Sequence, residues 1–97
     1  MSDFRQLIGK SAIVTGSGRG IGKAIATLFA QHGASVVIND IDSEVAEATA
    51  KEITDAGGSA VVCAGSVTDP AFPDRLVKTA AEAFGGIDVL VNNAGYT

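Results

Sequence analysis

The chain has 97 residues, 46% of them hydrophobic and 19% charged, with a net charge of −4. That length holds at most one domain with a modest core, and the apolar share excludes intrinsic disorder. Seven Lys and Arg residues are scattered among eleven Asp and Glu, which excludes the basic footprint that nucleic acid or an anionic membrane surface demands.

No stretch approaches the roughly 20 apolar residues of a membrane span, and residues 1–12 lack the apolar run of a signal peptide, so a cytoplasmic protein is expected. Ser11-Ala12-Ile13-Val14-Thr15 is a short apolar run leading into glycines and predicts a first strand. Ile21, Ile25, Leu28 and Phe29 follow at i, i+4, i+7 and i+8, the spacing of a helix, which Gly33 ends as a left-handed residue. Ser35-Val36-Val37-Ile38-Asn39 is continuous, β-branched and too short for a helix, and predicts a second buried strand.

A second helix is expected from about Ser43, a good N-cap, to about Ala56, with Val45, Ala48 and Ile53 on its inner face and Gly57-Gly58 as its stop. Its Glu and Lys residues form a solvated face. Ser59 to Ala64 predicts a third strand, and the lone Cys63 within it is expected to be a buried structural thiol. Asp69-Pro70 opens a third helix carrying Phe72, Leu76, Val77, Ala80 and Phe84 inward; Pro73 is harmless only in a first turn, which moves the start two or three residues past Pro70. Gly85-Gly86 ends that helix, and Ile87-Asp88-Val89-Leu90-Val91 is a fourth strand running into Asn92-Asn93-Ala94-Gly95. His32, in the last turn of the first helix, suits a C-terminal capping role.

The order β-α-β-α-β-α-β with right-handed crossovers gives an α/β domain, a parallel sheet with helices on both faces. With strand order 3-2-1-4 the first two helices cover one face and the third covers the other. The fourth strand is then an apolar open edge, beside which further strands are expected to belong.

Between the first strand and first helix lies Thr15-Gly16-Ser17-Gly18-Arg19-Gly20-Ile21-Gly22. Glycines at alternate positions let backbone amides approach a pyrophosphate, and the following helix N-terminus supplies free N–H donors, so an acidic chain can still bind a dianion. The pattern G-x-G-x-x-G does not fit, because Ile21 or Lys23 stands where its third glycine would fall, and a phosphate-binding P-loop fails at Ser17 and Ala24. Thr-Gly-x-x-x-Gly-x-Gly fits in full. Asp40, 18 residues beyond Gly22, ends the second strand. A carboxylate there accepts the ribose hydroxyls of adenosine and repels a 2′-phosphate, so NAD is favoured over NADP; the alternative is a solvated loop acid among Asp40, Asp42 and Glu44. Arg19, in the same loop, is placed to offset an extra phosphate. Asn92-Asn93-Ala94-Gly95 closes the fourth strand at the same edge, where small residues admit a ribose or nicotinamide and an Asn amide can tie two strand ends together. No metal-ligating set is expected.

The two motifs together, Thr15 to Gly22 and Asn92 to Gly95, resemble the short-chain dehydrogenase/reductase family. The runs Ser66-Val67-Thr68-Asp69-Pro70 and Gly86 to Thr97 are similar to its 3-oxoacyl-[acyl-carrier-protein] reductase branch, which would place the chain in fatty acid metabolism. The resemblance implies a Rossmann-type fold, NAD or NADP as cofactor, a homo-oligomer and a small carbonyl or secondary-alcohol substrate. It implies that Gly16, Ser17, Gly18, Arg19, Gly20 and Ile21 hold the pyrophosphate and adjoining ribose, that Asp40 selects the adenosine ribose, that Ser66 and Val67 lie by the adenine, and that Asn93, Ala94 and Gly95 line the nicotinamide side. Ser66 departs from the family, which usually has Asp or Asn there for the adenine amino group. The family's catalytic Ser, Tyr-x-x-x-Lys and further Asn would all lie beyond Thr97, and Tyr96, with one residue after it, cannot be that Tyr. Residues 1–97 are therefore expected to be one dinucleotide-binding domain cut before its catalytic half, with no catalytic residue of its own. The alternatives are a non-catalytic nucleotide-binding or interaction module, dimerising through the fourth strand, and a nucleotide-fold methyltransferase, against which the Thr-Gly-x-x-x-Gly-x-Gly loop argues.

Overall fold

Strand and helix alternate through the described residues: β1 (Ser11–Val14), α1 (Gly20–Gln31), β2 (Ser35–Ile38), α2 (Ser43–Asp55), β3 (Ser59–Val62), α3 (Phe72–Phe84) and β4 (Val89–Val91). This is a computed structural model, and it describes residues 6–94. The four strands are parallel in the order β3-β2-β1-β4, as expected, with Ile13 opposite Val37 and Leu90, and Val37 opposite Val61. Val14, Ile38, Val62 and Val91 consequently share one row, so the segments that follow them all emerge along a single edge of the sheet.

Successive strand residues point to opposite faces, and both faces are covered. Ala12, Val14, Val36 and Ile38 pack with Ala26 of α1 and Ala46, Ala50 and Ile53 of α2. Ile13, Val37 and Cys63 pack on the other side with Phe72, Leu76 and Ala80 of α3. Cys63 is buried, as expected. β4 is the thin edge, with Leu90 62% exposed.

The helices differ from expectation in which residues they turn inward. Ile21 and Leu28 are 75% and 51% exposed, and α1 meets the sheet through buried Gly22 and Ala26, with Ile25 and Phe29 at its margins. Small residues at i and i+4 let the helix axis come close, and the large side chains on either side are then left outside. In α2 the buried row is Ala46, Thr49, Ala50 and Ile53; Ala48 faces solvent and Val45 is only half-buried. Its N-cap is Asp42, whose carboxylate accepts from the Glu44 and Val45 amides at 3.0 and 3.3 Å, and not Ser43. α3 starts at Phe72 with Pro73 in its first turn, two residues past Pro70 as the second proline requires, while Asp69 holds the preceding turn through the Ala71 amide at 2.9 Å. Val77 is 54% exposed instead of inward. All four strands are shorter than their apolar runs. Gly33 (φ +98), Gly57 (φ +94) and Gly85 (φ +84) end the helices in the left-handed region, and His32 is the α1 C-cap residue.

Hydrogen bonds beyond the ladders lock both ends of the sheet. At the start of β1, the Ser11 amide donates to the Asp88 carboxylate at 2.9 Å and its hydroxyl to the Gly86 carbonyl. At the far edge, Asn39 is 1% exposed and spans three segments. Its Oδ1 accepts from the Gly16 amide at 3.0 Å, and its Nδ2 donates to the carbonyls of Cys63 at 3.0 Å and Gly65 at 3.2 Å. Its main chain exchanges bonds with Ser17, receiving the Ser17 N–H at 2.6 Å and donating to Ser17 Oγ at 2.9 Å.

Two predictions test this framework. Phe72, 1% exposed, fills the α3 side, so Phe72→Ala lowers stability by about 3 kcal/mol, read as a lower urea midpoint at unchanged slope. Asn39→Asp sets a carboxylate against two carbonyl oxygens and costs about 3 kcal/mol at neutral pH. Burial among acceptors raises that carboxyl's pKa above its unfolded value, so part of the loss is recovered as the pH is lowered through it; a variant equally unstable at acid and neutral pH contradicts the assigned bonds.

Candidate functional site

The loops that leave the shared strand row enclose a cleft of about 670 Å³, within the range of small-molecule sites. Its walls come from Gly16 and Arg19 after β1, Asn39, Asp40 and Ile41 after β2, residues 65–68 after β3, and Asn93 and Ala94 after β4.

The glycine loop reaches this cleft in a conformation fixed from behind. Ser17 is fully buried, and its hydroxyl donates to the Val14 carbonyl at 2.6 Å. Thr49 of α2, 1% exposed, donates to the Gly18 carbonyl at 2.7 Å. A Cβ on Gly18 would lie 2.6 Å from Asp40 Oδ2 and 2.7 Å from Val45 Cγ1, and one on Gly22 would lie 2.6 Å from Asn93 Nδ2 and overlap the Gly16 carbonyl oxygen. Glycine at these two positions lets the loop lie flat between α2 and the β4 end. α1 then begins at Gly20 with Arg19 as an extended N-cap residue, no side chain capping it and no acid in its first turn. Its unpaired amides and positive end are left for an outside acceptor.

Asp40 is 7% exposed at the end of β2. Its Oδ1 accepts from the Asp42 amide at 3.1 Å and lies 3.8 Å from Arg19 Nη2, which is also 3.6 Å from Asp42 Oδ2. Across the cleft, the β4 end is tied to the β1 end. Thr15 N donates to the Val91 carbonyl at 3.0 Å, the Ala94 amide to Thr15 Oγ1 at 3.0 Å, and Asn93 Nδ2 to the Gly16 carbonyl at 3.3 Å. Asn92 Oδ1 lies 3.4 Å from Thr15 Oγ1. The expected tie between strand ends is thus shared by two asparagines, one as donor and one as acceptor. On the β3 side, Ser66 Oγ pairs with Thr68 Oγ1 at 2.6 Å and accepts the Thr68 amide at 3.2 Å, while Val67 packs partly against the α3 core.

Of the residues singled out from the sequence, Gly16, Arg19, Asp40, Ser66, Val67, Asn93 and Ala94 line this one cleft. Ser17 and Gly18 are buried beneath it, and Gly20 and Ile21 are exposed where α1 begins. Gly95 lies outside the described residues. Sequence reasoning passed over Asn39, Thr49, Ile41 and Gly65. A polar residue ending an otherwise apolar strand was the available signal for Asn39; Thr49 gave none, since its partner is 31 residues away.

Comparison with known proteins agrees with this arrangement. Residues 10–97 match the short chain dehydrogenase family. The chain is 46% identical over 94 residues to 7alpha-hydroxysteroid dehydrogenase of Escherichia coli strain K12, covering 97% of the chain and 37% of that protein. It is 49% identical over 89 residues to sorbitol dehydrogenase of Cereibacter sphaeroides, covering 92% of the chain and 34% of that protein. The crystal structure of hydroxysteroid dehydrogenase from Escherichia coli superimposes with a TM-score of 0.92 at 45% identity, over 99% of this chain and 41% of that one. A short chain dehydrogenase from Mycobacterium avium gives 0.89 at 45% identity, over 95% and 35%. The chain therefore spans between about a third and two-fifths of the length of these relatives, and with a family match over nearly all of its residues it belongs to the short-chain dehydrogenases.

Proposed function

We propose that residues 1–97 are the dinucleotide-binding domain of an NAD(P)-dependent oxidoreductase that moves hydride between the nicotinamide and a carbonyl or secondary alcohol. The observation that supports this best is the convergence, around one cleft, of an uncapped helix N-terminus, a carboxylate at the end of β2 and a small-residue turn at the end of β4. These suit in turn a pyrophosphate, a ribose diol and a nicotinamide ribose. The open amides at the start of α1, from Arg19 to Ile21, take the phosphates, while Gly16 and Ser17, whose own amides are bonded to Asn39, and Gly18 fix the loop from beneath. Asp40 accepts the adenosine ribose hydroxyls, Ser66 and Val67 flank the adenine, and Asn93, Ala94 and Gly95 border the nicotinamide side. The cofactor supplies the hydride chemistry; this segment binds and orients it.

NAD is the preferred form in this reading, because a 2′-phosphate would have to sit against the carboxylate of Asp40. For the substrate, the sequence runs Ser66–Pro70 and Gly86–Thr97 favour a 3-oxoacyl group on a carrier protein, while the relatives are named for a hydroxysteroid and for sorbitol. A ketone or secondary alcohol is common to all three. A reductase of this class would work in the cytoplasm as a homo-oligomer.

Calorimetric titration with NAD and NADP tests the cofactor assignment. Asp40→Ala removes a charged acceptor, so NAD affinity falls about tenfold or more while NADP affinity holds or improves. Equal losses for the two cofactors refute the ribose role, and a wild-type protein that binds neither refutes the function.

A further inference from the structure

We propose that Asp42 is a second determinant of cofactor choice, acting by holding Arg19 away from a 2′-phosphate and not by touching the cofactor itself. The inference rests on the dinucleotide reading above and adds a residue to it.

The carboxylate of Asp42 has two separate tasks. Oδ1 caps α2 through the Glu44 and Val45 amides at 3.0 and 3.3 Å. Oδ2 faces Arg19 Nη2 at 3.6 Å, and the same nitrogen lies 3.8 Å from Asp40 Oδ1. Asp40 and Asp42 are joined in turn by the Asp42 amide, which donates to Asp40 Oδ1 at 3.1 Å. One guanidinium therefore stands between two carboxylates at the rim of the cleft, and the three side chains together carry a single negative charge.

The side chains differ in freedom. Counting side-chain atoms alone, Asp40 is 9% exposed, Asp42 47% and Arg19 64%, so the arginine is the member able to swing. A 2′-phosphate at the ribose edge would need that cation as its counter-charge. Moving Arg19 to it leaves both acids unpaired beside a dianion. A 2′-hydroxyl asks for no such movement. Asp42 thus penalises NADP by competing for the one cation in the loop, an effect expected to be modest because the pair is solvent-exposed.

Asp42→Asn isolates the charge, because asparagine caps a helix as well as aspartate does and leaves α2 intact. NAD and NADP are titrated calorimetrically against the full chain, at low and at high salt, with the melting temperature as the check on folding. The expected result is a shift of the affinity ratio toward NADP of about threefold to fivefold at low salt, shrinking at high salt. In an Arg19→Ala background the same substitution should shift the ratio less than about twofold, since there is no cation left to release. A full-sized shift in that background means direct repulsion by Asp42 and overturns the proposal. A wild-type protein that binds NAD, with a ratio that Asp42→Asn leaves unmoved, overturns this assignment alone. Failure of the wild type to bind either dinucleotide overturns the functional reading and this assignment with it.

Discussion

A buried primary amide must place two donors and an acceptor among protein groups or lose much of the stability a small domain has. Asn39 does so by reaching Gly16 on one side and Cys63 and Gly65 on the other, at the level where the four strands stop. The glycine loop and the loop after β3 are consequently set by one side chain, although they are far apart in sequence. On this side the spacing of the cleft is fixed, because the walls that follow β1 and β3 hang from the same residue. Ser17, buried and bonded both to Val14 and to the Asn39 main chain, completes that link from the loop side.

Close approach supplies the other half of the geometry. α1 packs on the sheet through Ala26, and Gly22 lets its first turn lie against the Gly16 carbonyl and the Asn93 side chain at the strand ends. Gly18 allows the side chains of Asp40 and Val45 to lie against the loop, and Thr49 answers the Gly18 carbonyl from α2. The shape of the loop thus follows from packing by its neighbours. The amides it leaves open are those at the α1 N-terminus, where a phosphate would meet them.

The parts of this fold visible in the sequence were those encoded locally. Short β-branched runs, glycines at helix ends and the turn chemistry of Pro70 and Pro73 gave the element order; the strand order 3-2-1-4 and the division of helices between the faces came from taking the dinucleotide-fold order for those elements. Helix orientation was less legible, because apolar periodicity assumes that the largest hydrophobes face inward. In α1 and α2 small residues occupy the contact rows, which leaves Ile21, Leu28 and Ala48 outside. Ser43 and Asp42 are adjacent and both good caps, and only the backbone geometry at Asp42 decides between them. Seven of the residues chosen for the site line the cleft, since motif spacing marks strand ends well. The polar groups that hold the cleft open, Asn39 and Thr49, depend on partners 23 to 31 residues distant, and no local pattern reveals such pairing.

The distribution of charge gives the proposed function its physical sense. A chain with a net charge of −4 is an unpromising host for an anionic cofactor if side-chain charge is the measure. Side-chain charge is a poor measure here. The positive potential at the α1 N-terminus comes from backbone dipoles and is not cancelled by any acid in the first turn. The only basic side chain lining the cleft among the described residues, Arg19, is already shared between two carboxylates of its own chain. In the proposed reading phosphates would be met by neutral amides at the start of α1, while Asp40 and Asp42, which lie beside the same loop against Gly18 and Arg19, would face hydroxyls and not phosphates. An arrangement of this kind separates two parts of one ligand by their chemistry, and it works best when Arg19 is kept out of the exchange.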